Sequence, residues 1–429
     1  MKSRLPLRFL LRQLTACMLI TCGAGAQATN GLNLIGYGAE SSLMGGADVA
    51  VARDAAALNT NPAGIARFRA AALDVYGAGS YALNVGHRDS LGNNLEVDEK
   101  LISVAGFGYA IPLQGNDLVL GIGAFAQGGA GAVFEKMRTP FGNVDELSSQ
   151  FGALKFTSGL AWRASGSTMV GATLSLLYGG LRQDFFPATS ALTPGGPFFG
   201  SALDRANGYG LGAKFGVLHQ LSPAITVGAT YTSKTRLPLR DGRLRVNMAA
   251  AGLGQVTYSD VKLDGLAFPQ QVGAGIAWQV SERLLWSTKL EWIDWSGAVR
   301  NLTQTASGPD NAAAPATLTQ TQYLGWRDQY VIATGMAYKL SPRTTLRAGF
   351  NYGRSPVPVE RSSPVINPIG EKHLTLGASR KIGGGYEWHG GLEYQFRNTV
   401  HYNNRALAFG PSTWREESIA LHMMLGRRW

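Results

Sequence analysis

The side chains best suited to metal binding or acid–base work are six histidines, His87, His219, His373, His389, His401 and His422, and none stands at a metal-ligand spacing from another. Cysteine is confined to Cys17 and Cys22. Gly121-x-Gly123 with Gly128 and Gly129 has the composition of a phosphate cradle, but it lies in an alternating stretch with no helix after it. A Ser-His-acid hydrolase site is assembled in space rather than in sequence, and no segment nominates one. The expectation is a protein that is not an enzyme and that uses neither metal nor cofactor. The chemistry on offer is apolar: Phe134, Phe141, Phe185, Phe186, Phe198 and Phe199 are concentrated in long segments between expected strands. Rings exposed there would gather a greasy solute. Folded on one another they would form a local core, and both can hold at once.

The rest of the chain must position those rings. It opens MKSRLPLRFLLRQLTACMLITCGAGAQA, with Lys2, Arg4, Arg8 and Arg12 ahead of the apolar run from Leu14 to Ile20 and then Ala26-Gln27-Ala28. That order of basic, apolar and small residues reads as a secretory signal over residues 1–28, cleaved after Ala28. Both cysteines leave with it, so a thiol enzyme, a disulfide scaffold and a Cys-ligated metal site drop out. The formal net charge falls from +11 to +7 with the four cations of the leader. The remaining Lys and Arg are scattered, with no evident helix to carry them into a groove, so nucleic acid is not an expected partner. For an exported chain the basic balance fits anionic lipid head groups or polyanionic surface sugars.

Of 429 residues 56 are Gly, 16% are charged and 10% are aromatic, which excludes a disordered chain. Beyond the leader no window holds the ~18 uninterrupted apolar residues of a membrane helix. Period-two alternation dominates instead. Tyr386, Trp388, Gly390, Leu392, Tyr394 and Phe396 interleave with Glu387, His389, Gly391, Glu393, Gln395 and Arg397; Val272, Ala274, Ile276, Trp278 and Val280 alternate with Gln271, Gly273, Gly275, Ala277 and Gln279; Leu346, Ala348, Phe350 and Tyr352 alternate with Arg347, Gly349, Asn351 and Gly353. Strands are expected near 71–86, 97–112, 117–127, 152–164, 168–181, 207–220, 224–236, 259–280, 283–295, 325–340, 343–354, 371–382, 385–397 and 414–429. Short turns, at Gln114-Gly115-Asn116, Ser165-Gly166-Ser167, Ser222-Pro223, Ser281-Glu282, Ser341-Pro342 and Gly383-Gly384, alternate with long segments such as 128–151, 182–206, 237–258 and 296–324. An even strand number with short joins at one end and long ones at the other predicts an all-β fold, a 14-stranded antiparallel transmembrane barrel in a Gram-negative outer membrane. Closure satisfies every backbone group in lipid without leaving an edge. The last strand, Ile419, Leu421, Met423 and Leu425 ending at Trp429, resembles the segment that barrel assembly machinery recognises; Arg427 interrupts its apolar set.

Residues 29–70 break the alternation. They are rich in Gly and Ala, with short helical stretches expected around Gly46 to Leu58, and they are long enough to sit inside a wide barrel. Gly45-Gly46-Ala47, Asp54 and Asn61-Pro62-Ala63 resemble the hatch of the FadL-type outer-membrane transporters. Tyr231-Thr232-Ser233-Lys234, Leu290-Glu291-Trp292-Ile293-Asp294-Trp295-Ser296 and the stretch from Arg347 to Pro358 are similar to further segments of that family, in the same order. The resemblance implies a signal at 1–28, a hatch at 29–70 and a barrel at 71–429. It also implies passive, ligand-gated uptake of long-chain fatty acids or other hydrophobic small molecules. The ligand would be gathered among extracellular loops, pass an internal pocket and leave through an opening in the wall. The outer leaflet of lipopolysaccharide, a poor solvent for such compounds, surrounds the barrel. Asn61, Pro62 and Ala63 would gate; Phe185, Phe186, Phe198 and Phe199 would contact ligand; and Arg182 or Arg327 would pair with a carboxylate. Aromatic hydrocarbons, which need no charge partner, are the rival substrates. A barrel lipase and an adhesin are the rival classes.

Overall fold

The computed structural model describes residues 30–429 apart from Gln114 and Asn116; the leader, its cleavage point and both cysteines lie outside the described residues, as do two positions of the first expected turn. Alternation becomes fourteen strands: β1 (Ala72–Ala82), β2 (Leu101–Pro112), β3 (Leu118–Arg138), β4 (Val144–Arg163), β5 (Thr168–Thr193), β6 (Gly196–Ser222), β7 (Ile225–Thr232), β8 (Gln271–Gln279), β9 (Leu284–Ile293), β10 (Gln329–Ser341), β11 (Thr344–Gly353), β12 (Lys372–Gly383), β13 (Tyr386–Tyr402) and β14 (Ser412–Arg428). Each pairs antiparallel with its neighbours, and β14 closes on β1 from Ala72↔Arg428 to Ala82↔Ser418. The side chains sort as the pleat requires. Leu174, Leu211, Leu290, Leu376 and Leu421 are 50–80% exposed on the outer face, while Thr157, Thr173, Lys289, Arg347 and Glu393 are buried on the inner one. Arg427 does not spoil the outer band, because its guanidinium lies 4.7 Å from the centre of the Trp429 ring and 5.0 Å from that of Tyr386.

The long segments differ from the expected loops. Segments 128–151 and 182–206 contain continuations of paired strand, so β3 with β4 and β5 with β6 stand out from the barrel as long hairpins. In Gly128-Gly129-Ala130-Gly131-Ala132 both faces of β3 are covered, and a strand buried on both sides shows no alternation to read. Nor is 259–280 one strand. Gln255–Asp264 belongs to a sheet that continues from β6 through Leu239–Asn247 to Asn301–Pro309 and Thr317–Tyr323, and the barrel resumes only at Gln271. Expected strand 224–236 likewise stops at Thr232, and Thr235–Arg236 pairs separately with Ala267–Phe268.

Two apolar cores fill this outer layer. Leu203, Leu239, Leu244, Val246, Tyr258 and Val261 help form one with Trp295 and Trp326. Phe134, Met137, Leu147, Phe186, Phe409 and Trp414 anchor the other.

Candidate transport site

Asn30 to Phe68 is buried almost throughout, inside the ring of strands. Helix α1 (Ala39–Leu43) is followed by turns and by 3₁₀ segments at Ala55–Leu58 and Pro62–Arg67; the first of these 3₁₀ segments is a short helical stretch in the expected region around Gly46 to Leu58. Asn61 caps the final segment, its Oδ1 accepting from Ala63 N at 3.1 Å. Its Nδ2 donates to Val49 O at 2.8 Å within the segment and to Val217 O at 3.1 Å in β6. Pro62 stands first in the turn, where a missing N–H costs nothing and a fixed φ helps.

The wall is thinned to receive this backbone. A Cβ placed on Gly108, Gly171, Gly216, Gly228, Gly335 or Gly349 would fall 2.0–2.5 Å from a hatch atom, the shortest being from Gly216 to Asn61 Oδ1. Much of the glycine in the composition is therefore space for the plug.

Polar contacts complete the seat. Glu40 pairs with Arg53 in the hatch and, at 3.2 Å, with Arg347 of β11. Burial alone would raise the Glu40 carboxyl, but the Arg53 and Arg347 guanidiniums outweigh it and hold the group at about 2. Asp48 lies 3.5 Å from Lys289 of β9, which also meets Glu291 at 3.3 Å. Lys155 of β4 donates to Asn59 Oδ1 at 2.5 Å, Ala55 N donates to Asp74 Oδ2 of β1 at 2.7 Å, and Ser287 Oγ donates to Ala47 O at 2.9 Å. Among the described residues Asp54 has no cation in hydrogen-bond reach; burial and the Asp74 carboxylate push it well above the usual range.

The wall is irregular where it meets the start of the hatch. The β3–β4 register shifts between Ala126 and Gly128, and Gly128 has φ +143°. The start of the hatch fills the break: Asn33 bridges to Gly128, and Gly129 N donates to Leu32 O at 3.0 Å. Further along the same segment, Leu34, Ile35 and Gly36 face a cavity of about 50 Å³ against β1, β2, β13 and β14, lined by Tyr76, Ile102, Val104, Glu393 and His422. A second cavity, about 30 Å³, is polar, with Asp48, Asn59, Lys214, Lys289 and Glu291 on its walls.

The expected ligand residues separate into groups. Phe186 is fully buried, 5.1 Å from Phe185, 6.4 Å from Phe198 and 6.1 Å from Phe409 between ring centres; Phe141 stacks on Phe198 at 4.3 Å. Phe199 packs against the other core. The rings are therefore mainly a local core. Arg182 shares the outward parity of Leu174 and Leu176, is 61% exposed and pairs with Asp184 at 3.6 Å; Arg327 is 65% exposed and pairs with Glu360 at 3.3 Å. Neither lines the two cavities. Glu40, Arg53, Lys155, Lys289, Tyr76 and Glu393 were not singled out as site residues from sequence. For Lys155 and Lys289 the signal was the polar set of an alternating strand, since in a plugged barrel such charges require hatch partners.

A closed, lipid-facing barrel whose lumen is filled by its own N-terminal segment is a plugged outer-membrane channel. The family model described as outer membrane protein transport protein (OMPP1/FadL/TodX) matches residues 16–411, and the chain belongs to that family of channels for hydrophobic compounds. A search of curated proteins finds no match. Among solved structures it is similar to the P. putida toluene transporter TodX, with a TM-score of 0.77 and 19% identity over 92% of this chain and 99% of that one. The Ralstonia pickettii toluene transporter TbuX gives 0.74 and 20% over 92% and 99%. A Pseudomonas aeruginosa FadL homologue gives 0.72 and 15% over 93% and 99%.

Proposed function

We propose that the channel carries small neutral hydrophobic compounds, monoaromatic hydrocarbons among them, inward across the outer membrane without a chemical step. Solute would meet the outer apolar layer, loosen the hatch at the segment around Asn33 and leave sideways where β3 is broken at Gly128. Asn61, Pro62 and Ala63 would hold the plug in its resting seat. The observation that carries the substrate reading is the cavity beside Leu34, whose wall is largely apolar and whose charged edge is a carboxylate, Glu393, rather than a free cation. Two of the similar structures are toluene transporters by name, which supports the same class.

Long-chain fatty acid is the second reading. Lys214 favours it, being buried on the wall of the polar cavity beside Lys289 and therefore a possible seat for a carboxylate. Cells lacking their own such channels, with and without this protein, separate the two through uptake of radiolabelled toluene and oleate. Protein-dependent toluene uptake is expected. Oleate uptake alone, abolished by Lys214→Met, would replace the hydrocarbon reading, and no protein-dependent uptake of either would move the chain to an adhesive or structural role.

A further inference from the structure

The cavity beneath Leu34 is not uniformly greasy. Ile35, Ala78, Ile102 and Val104 are apolar, but Glu393, His422, Ser418, Ser80 and Tyr76 line it as well. Glu393 is clamped by two imidazoles, His373 Nδ1 at 3.1 Å and His422 Nε2 at 2.9 Å. Ser418 is committed as well, its Oγ donating to Gln395 Oε1 at 3.1 Å. Tyr76 differs: it is only 7% exposed, yet its hydroxyl makes no hydrogen bond among the described residues. The ring has little freedom to seek one. It stacks on Phe125 at 6.4 Å between centres and lies over Gly106, where a Cβ would fall 2.5 Å from it. A buried donor with no partner is costly, and the cost is removed by a ligand that brings an acceptor.

We propose that this cavity binds the polar head of a neutral, hydroxylated hydrophobe of the alkylphenol class, and that Tyr76 makes the channel prefer it to the bare hydrocarbon. The inference rests on the channel reading above and narrows its substrate class. A phenolic oxygen accepts from the Tyr76 hydroxyl; a bare ring offers no such contact. A carboxylate head is disfavoured, because it would be placed against Glu393. The cavity, about 50 Å³, is smaller than the ~150 Å³ that accommodates benzene. The ring therefore enters only as Leu34–Gly36 gives way, a stretch without regular secondary structure. Binding and displacement of the hatch are one event.

The test compares wild-type protein and Tyr76→Phe in lipid nanodiscs by equilibrium dialysis of radiolabelled p-cresol, toluene and p-toluate, with empty nanodiscs as background. The wild type is expected to hold p-cresol about three- to tenfold more tightly than toluene, the range of one neutral hydrogen bond. Tyr76→Phe, which removes one oxygen and keeps the ring, should erase that preference by bringing p-cresol down to the level at which the variant binds toluene; a heat-modifiable gel shift confirms assembly of the variant. Equal binding of cresol and toluene by the wild type, a preference that survives Tyr76→Phe, or tighter binding of p-toluate than of p-cresol overturns the inference while toluene binding keeps the channel reading intact. Binding of none of the three overturns both.

Discussion

The plug and the outer layer are both buried against the same barrel, but they are held differently. The hatch is seated by hydrogen bonds, ion pairs and backbone lying on wall glycines, with Asn61 on β6, Glu40 on Arg347 and Asp48 on Lys289, and also by an apolar core in which Leu43, Leu58 and Ile65 join Phe125 and Met424 of the wall. The outer layer is held by side-chain cores, with Phe186, Phe134 and Trp414 in one and Trp295, Tyr258 and Val261 in the other. Polar contacts can be exchanged for water or ligand at little net cost, whereas apolar packing cannot. Part of the hatch's seat is thus exchangeable in a way that the outer layer's is not.

Removing a ring from the outer core should give the largest effect. Phe186→Ala is expected to cost about 3–5 kcal/mol locally and to expose the β5–β6 hairpin to protease, with hydrogen exchange in residues 30–68 unchanged. The opposite signature is expected from Arg347→Met, which leaves Glu40 with Arg53 alone. Its cost approaches ~3 kcal/mol and falls on the hatch, whose amides should exchange faster while the hairpins stay protected. If both variants loosen both regions, the distinction between the two is wrong.

Asn61→Ala combined with Pro62→Ala removes three hydrogen bonds and a preset turn. Net losses of about 0.5–1.5 kcal/mol for each bond leave the 61–63 turn without one defined position, so the hatch no longer offers solute an ordered path. Uptake should fall about tenfold while the barrel still shows heat-modifiable migration; unchanged uptake in a correctly inserted double variant would remove Asn61 and Pro62 from gating.

The smallest expected effect is one of pH. The Glu40 carboxyl is held at about 2 in the folded protein, below the ~4.3 of a free glutamate, so the stability it contributes is complete above about pH 4.5 and is lost as pH falls toward 2. Hatch exchange, corrected for intrinsic rates, should not rise between pH 7 and 5, since protonation of the raised Asp54 carboxyl only favours the seat, and should rise below about 4. A rise already at pH 6 would mean that another group controls the seat.

The barrel was legible because lipid on one side and a polar lumen on the other impose a strict two-residue period, as from Tyr386 to Arg397. Legibility failed where that asymmetry ends. At Gly128–Ala132 both faces are covered, so the signature is lost. Gln255–Asp264 keeps an alternation like the barrel's while pairing in the sheet that extends from β6, so it reads as one strand with the segment after it. In the site, Asn61-Pro62-Ala63 was visible as a local turn motif with its own capping chemistry. Glu40 with Arg347 was not, because partners 307 positions apart meet only through closure of the wall. Arg182 stood out as a cation in the right segment, but parity with Leu174 turns it outward.

The glycines inside the wall make the barrel a mould of its own stopper. Gly171 and Gly216 record where the 61–63 turn lies, and Gly335 and Gly349 where Met44 does. A hatch grafted from a relative would therefore fit only if those hollows travelled with it. The unit that can be exchanged between such channels is a stopper together with its imprint.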